Sequence, residues 1–169
     1  MPGGPGCRQD RSPHLVHESS SRSRSKKTDS LKLGATSNNF TLVPNANLTF
    51  GGSGASRTLT ATAVSGKTGT ATITVTVSDG AATGKVALTL KAGGNSNDTL
   101  SGTSDTDILL GQNGDDTLSG AGGKDLLCGA RGNDRLSGGA DADRFEGGSG
   151  NDRATDFSAS EGDTRVGIP

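Results

Sequence analysis

The stretch GGNSNDTLSGTSDTDILLGQNGDDTLSG, residues 93–120, states one nine-residue phrase three times and begins a fourth. Followed to residue 155, the phrase runs through seven units without a gap: GGNSNDTLS, GTSDTDILL, GQNGDDTLS, GAGGKDLLC, GARGNDRLS, GGADADRFE and GGSGNDRAT. The first position is glycine in all seven (Gly93, Gly102, Gly111, Gly120, Gly129, Gly138, Gly147). The sixth is aspartate in all seven (Asp98, Asp107, Asp116, Asp125, Asp134, Asp143, Asp152). The eighth is always apolar: Leu100, Leu109, Leu118, Leu127, Leu136, Phe145 and Ala154. Three odd-numbered units add a glycine at the fourth position, Gly114, Gly132 and Gly150.

Each column has a physical reading. Glycine admits backbone conformations that a Cβ forbids, so the first half of each unit can turn tightly. One apolar residue flanked by polar ones suits a short strand with a single inward side chain. Nine residues then make a turn and a strand, and two units close one coil. Stacked coils pair each strand with the strand eighteen residues on. One leucine per strand gives a thin core. The aspartates fall into two rows, Asp98, Asp116, Asp134 and Asp152 on one edge and Asp107, Asp125 and Asp143 on the other. Carboxylates stacked at an inter-strand spacing of about 4.8 Å repel one another unless a cation lies between them. Ca²⁺ suits such a row, because it accepts many oxygen ligands in loose geometry. Zinc would ask for Cys or His, which the turns lack.

These repeats resemble the RTX (repeats-in-toxin, hemolysin-type) calcium-binding nonapeptides, G-G-x-G-x-D-x-U-x, which form a parallel β-roll. The resemblance implies that the seven aspartates and the turn glycines hold Ca²⁺ with backbone carbonyls. Ions between neighbouring turns would number up to about five, three on the odd edge and two on the even. The even turns depart from the pattern at Asp105, Lys124 and Asp141, so the odd-numbered turns are expected to bind more strongly. The even strands also carry Ile108, Leu110, Leu126 and Cys128 at outward positions. This forms an apolar patch that either docks the preceding segment or a partner, or is neutral surface.

Residues 35–92 alternate with period two. RTLTATAV points Leu59, Ala61 and Ala63 one way, ATITVTVSDG points Ala71, Ile73, Val75 and Val77 inward, and KVALTLK adds Val86, Leu88 and Leu90. Such alternation, bounded by Gly and Asp-Gly, marks antiparallel strands with one wet face. Phe40, Leu42, Leu48 and Phe50 are expected to supply the earlier strands and the only aromatic core. The segments TLVPNANLTFGGSGASRTLTATAV and GTATITVTVSDGAATGKVALTL resemble cadherin-like or immunoglobulin-like tandem domains of bacterial surface proteins. The expectation is a partial sandwich of four or five strands whose front is missing.

Residues 1–34 read as a disordered basic head rich in Pro, Gly, Ser and Arg. The tail DFSASEGDTRVGIP, 156–169, resembles the ends of RTX proteins that carry an uncleaved signal for type I secretion. Charge is segregated: residues 93–169 carry six basic and fourteen acidic side chains, within a chain of net charge −1. Cys7 and Cys128 form no CxxC pair and are expected as free thiols. No apolar run is long enough to span a membrane, no cleavable N-terminal signal is visible, and no nucleic-acid partner is expected.

The sequence therefore predicts an all-β chain: disordered head 1–34, partial antiparallel Ig-like or cadherin-like sandwich 35–92, parallel β-roll 93–155, tail 156–169. The expected function is structural calcium binding in a secreted or cell-surface bacterial protein. Neither an HExxH helix nor a G-x-S-x-G elbow is present, so no enzyme is expected. The competing readings are a calcium-dependent adhesin fragment, meeting a cell-surface or extracellular partner, and the non-catalytic end of a larger secreted hydrolase.

Overall fold

A computed structural model describes residues 31–53 and 56–169; most of the basic head lies outside them. Strands β1 (Lys32–Ser37), β4 (Gly69–Ser78) and β5 (Thr83–Ala92) are antiparallel neighbours, and β2 (Leu48–Ser53) and β3 (Ser56–Ala61) form a separate hairpin. The repeats follow as β6 (Thr99–Ser101), β7 (Asp107–Asn113), β8 (Thr117–Gly122), β9 (Leu126–Arg131), β10 (Arg135–Ala140), β11 (Arg144–Ser149) and β12 (Arg153–Ala154). A final strand, β13 (Thr164–Val166), comes from the tail.

The eighteen-residue pairing is as the repeat requires. Leu100 stands beside Leu118, Leu118 beside Leu136, and Leu136 beside Ala154 in a four-stranded parallel sheet. Leu109 stands beside Leu127, and Leu127 beside Phe145, in the opposite sheet. Between the sheets, Leu109, Leu118, Leu127, Leu136 and Phe145 are fully buried. Each contributes about 2 kcal/mol by leaving water.

The second sheet does not stop at the first repeat. Strand β5 pairs in parallel with β7, Leu90 beside Ile108 and Ala92 beside Leu110. One seven-stranded sheet thus runs β1-β4-β5-β7-β9-β11-β13 across residue 93. The outward patch docks the preceding segment: Ile108, Leu110 and Cys128 are buried with Leu42, Val43, Leu59, Ile73, Leu88 and Leu90. This explains why β7 and β9 read Ile-Leu-Leu and Leu-Leu-Cys while β8 and β10 read Thr-Leu-Ser and Arg-Leu-Ser. A strand covered on both faces is apolar throughout; one with a wet face alternates.

Gln112 fastens the two parts. Its side-chain nitrogen donates to the carbonyls of Lys67 and Gly93, both at 2.8 Å, and its oxygen accepts from the Gly66 amide at 2.6 Å. Lys91 lies beside Leu109 in the register, and its ammonium donates to the Ser101 carbonyl at the free edge of the four-stranded sheet.

Three expectations are corrected. Phe40 is 61% exposed and Phe50 36% exposed, so neither forms a core. Phe40 falls in a turn, and its neighbours Leu42 and Val43 take the buried places. The aromatic pair lies instead at the end of the roll, Phe145 edge-on to Phe157 with ring centroids 6.2 Å apart. Val77 and Val86, far along the β4–β5 hairpin, are exposed, because the covering layer ends before it reaches them. Cys128 is disulfide-bonded rather than free; Cys7 lies outside the described residues.

Candidate metal centre

The turns at the two edges of the roll carry the aspartates. On the odd edge, the Asp98 amide donates to Oδ1 of Asp116 at 2.8 Å, Asp116 to Asp134 at 2.8 Å, and Asp134 to Asp152 at 3.0 Å. On the even edge, Asp107 donates to Asp125 at 2.8 Å and Asp125 to Asp143 at 2.9 Å. Each row is a ladder in which one carboxylate oxygen is spoken for by the turn before it.

The other oxygen is not. Oδ2 of Asp116, Asp125, Asp134, Asp143 and Asp152, and Oδ1 of Asp107, are buried and accept no hydrogen bond. A buried polar atom without a partner costs about 1–3 kcal/mol, and more when charged. Summed over both rows, this is comparable to what the core leucines contribute. Burial first, opposed by the backbone amide bonds and reinforced by neighbouring carboxylates, pushes the Asp125 carboxyl up to about 7. The same causes push Asp134 and Asp143 up to about 6, and Asp116 rises in the same direction.

The glycines show where the carboxylates of both rows point. A Cβ added to Gly93 would lie 2.7 Å from Oδ2 of Asp98 and 2.6 Å from the carbonyl oxygen of Gly111 in the next turn. A Cβ on Gly111 would meet the Asp116 carboxylate and, at 2.8 Å, the Gly129 carbonyl. Gly102 and Gly120 stand in the same relation to Asp107 with Gly120, and to Asp125 with Gly138. At Gly129, Gly138 and Gly147 the Cβ would collide with Asp134, Asp143 and Asp152. Each first-position glycine therefore marks a point where its own turn's carboxylate comes close, joined in most turns by the next turn's carbonyl.

The reason for that glycine differs from the one the sequence suggested. First-position glycines do not adopt left-handed φ; the space of a side chain is what they give up. Left-handed backbone falls at the second and fourth positions. Gly132 has φ 128°, and a Cβ there would overlap the Gly114 carbonyl. Gln112, Ala121, Ala130 and Asp141 hold φ between 76° and 83° despite their side chains.

These features fit a hard cation. The unpartnered atoms are carboxylate oxygens, carbonyls face several of them, and all but that of Asp107 lie where even a methyl group is excluded. Among the described residues no three His, Cys, Asp or Glu side chains converge on one point. An ion held here draws on carboxylates in small number and on backbone carbonyls, as Ca²⁺ does readily. The first turns are partly closed by their own amides: Gly94 donates to Asp98 at 2.7 Å and Thr103 to Asp107 at 2.6 Å. Asp105, Lys124 and Asp141 are exposed.

A second ladder escaped sequence reasoning. On the odd edge the Asp115 amide donates to the Asn97 side chain at 2.8 Å, Asn133 to Asp115 at 2.7 Å, and Asn151 to Asn133 at 2.9 Å. Its signal is the fifth column, which reads Asn, Asp, Asn, Asn in odd units and Thr, Lys, Ala in even ones.

The model of one protein family matches, that of the RTX calcium-binding nonapeptide repeat, in four copies over residues 92–127 and 129–154. No curated protein and no solved structure shows a significant match to the chain.

Proposed function

Because the chain is an RTX repeat protein, whose repeats bind Ca²⁺ in a structural β-roll, we propose that it is a calcium-stabilised module of a secreted or cell-surface protein. Five ions lie between successive turns, three along Asp98, Asp116, Asp134 and Asp152, and two along Asp107, Asp125 and Asp143. Gly93, Gly102, Gly111, Gly120 and Gly129 with Gly138 and Gly147 leave room for them. Gly114, Gly132 and Gly150 let successive turns lie close. The observation that carries this reading is the row of buried, unpartnered carboxylate oxygens. Calcium supplies the positive charge that ionised carboxylates need in that setting.

The odd edge is the stronger binder. Its side-chain ladder from Asn97 to Asn151 fixes the turns before an ion arrives, whereas at the fourth position the even edge puts Asp141, a side chain in left-handed backbone, where the odd edge has Gly114, Gly132 and Gly150. Among the described residues no helix is long and apolar enough to cross a membrane. RTX repeats are typical of secreted proteins, and export by type I secretion would let the acidic turns meet calcium only outside the cell, where binding energy becomes folding energy.

The test is calcium affinity of the full chain by chelator competition, with single-site variants. Asp116→Ala and Asp134→Ala should weaken binding more than Asp125→Ala. Equal affinity for all four proteins would remove the aspartates from the site.

A further inference from the structure

The tail continues the roll after the nonapeptide pattern has ended. Strand β13 pairs in parallel with β11, Arg144 beside Thr164, an offset of twenty residues where the repeats keep eighteen. The amide of Asp143 donates to Oδ1 of Asp163 at 2.8 Å, the bond that Asp107 makes to Asp125 and Asp125 to Asp143. Thr164 donates to the Asp143 carbonyl at 2.9 Å, as Arg144 does to Asp125 at 2.8 Å. Asp163 is buried like the repeat aspartates; its Oδ2 accepts from the Ser158 amide at 2.8 Å, as Oδ2 of Asp98 and of Asp107 accept from amides of their own turns. The two extra residues are taken up in a local turn in which Glu161 and Asp163 donate to the Ser158 carbonyl.

Residues 156–163 are therefore an eighth turn on the even edge. Asp156 stands eighteen residues after Gly138, where the other turns have glycine, and accepts hydrogen bonds from the amides of Gly138 and Gly139 and from the Ser137 hydroxyl. It fastens the turn. Oδ2 of Asp143 is buried, has no partner, and lies against Gly138, the residue whose amide Asp156 accepts. Phe157 and Ile168 close the end of the core against Phe145, and Arg165 lies 4.7 Å over the Phe157 ring.

We propose that Asp143 and Asp163 hold one further Ca²⁺ between the sixth unit and this eighth turn, outside the residues that the repeat family covers. The assignment rests on the calcium reading of the repeats and extends it by one site. On the opposite edge Gly167 brings its carbonyl toward Gly147 and Asp152, but among the described residues no aspartate accepts the Asp152 amide as Asp163 accepts that of Asp143, so the added ion belongs to the Asp163 edge.

The experiment counts calcium bound per full chain at saturation, by equilibrium dialysis and elemental analysis, for the wild type, Asp163→Asn and Asp156→Asn. Asparagine at 163 can still accept the Asp143 amide but lacks the charge. Asp163→Asn should bind one ion fewer, and Asp156→Asn, which loosens the turn without removing a ligand, should bind the wild-type number. An unchanged count in Asp163→Asn would overturn the site. So would a loss in both variants, because it would report tail packing rather than ligation. A wild type that binds no calcium would instead remove the reading of the repeats, and this site with it.

Discussion

The amide of Asp116 donates to Oδ1 of Asp134, eighteen residues on, while Oδ2 of Asp134 is buried with no partner. One carboxylate thus serves the fold with one oxygen and withholds the other. A ladder made wholly of such half-used groups is stable as a hydrogen-bond scheme and unstable as a set of charges. The expected behaviour of the protein follows from that conflict.

Stability without calcium should fall as pH rises. Asp125, Asp134 and Asp143 have carboxyls raised to about 7, 6 and 6 in the folded chain, and Asp116 is raised too. A raised carboxyl binds protons more tightly folded than unfolded, so its contribution is present near pH 4 and lost as pH climbs through about 7. Calcium needs the ionised form, so its affinity should move the opposite way. Thermal unfolding at pH 5 and pH 8, with chelator and with calcium, should show the order of stabilities reversing. A chelated protein that is more stable at pH 8 would contradict it.

The two kinds of glycine position should respond oppositely to substitution. Gly111→Ala drives a methyl group into the Asp116 carboxylate and should abolish binding in that gap. Ala121→Gly relieves a left-handed backbone at φ 83° on an exposed residue, and should raise stability by about 1 kcal/mol in calcium-saturated denaturant unfolding.

Leu127→Ala should cost about 2–5 kcal/mol, because Leu127 is fully buried between its pairing neighbours Leu109 and Phe145 and the sheets on either side are held by their ladders. Urea unfolding in saturating calcium measures it. A cost below about 1 kcal/mol, well under what such a truncation costs in a packed core, would mean that the ions alone hold the roll.

Gln112→Ala removes two hydrogen bonds between the roll and the 66–67 turn, and a third to the Gly93 carbonyl. Amide hydrogen exchange at Gly66 should quicken about tenfold, the equivalent of roughly 1.4 kcal/mol, while the Asp116 and Asp134 amides keep their protection.

Most of the roll was legible because its three columns are rigid: a first-position glycine, a sixth-position aspartate and an eighth-position apolar residue map one to one onto space, carboxylate and core. The outward Ile108, Leu110 and Cys128 announced a covered face, though not what covers it. Asp163 was illegible for a definite reason. Two inserted residues break the nine-residue period, and the eighth-position place is Arg165, with Phe157 supplying the apolar side chain from elsewhere. The role of Phe40 was misread because period-two alternation was extended into a segment that folds as a turn. The position of Gln112 depends on a bond across forty-six residues that no local pattern encodes.

The central claim is that calcium, by filling the gaps between turns, completes the fold. Far-UV circular dichroism of the full chain, titrated with Ca²⁺ from a chelated start and with Mg²⁺ as control, tests it most directly. A cooperative gain of β-signal is expected with Ca²⁺ and none with Mg²⁺. An unchanged spectrum across the Ca²⁺ titration, or an equal response to Mg²⁺, would contradict it.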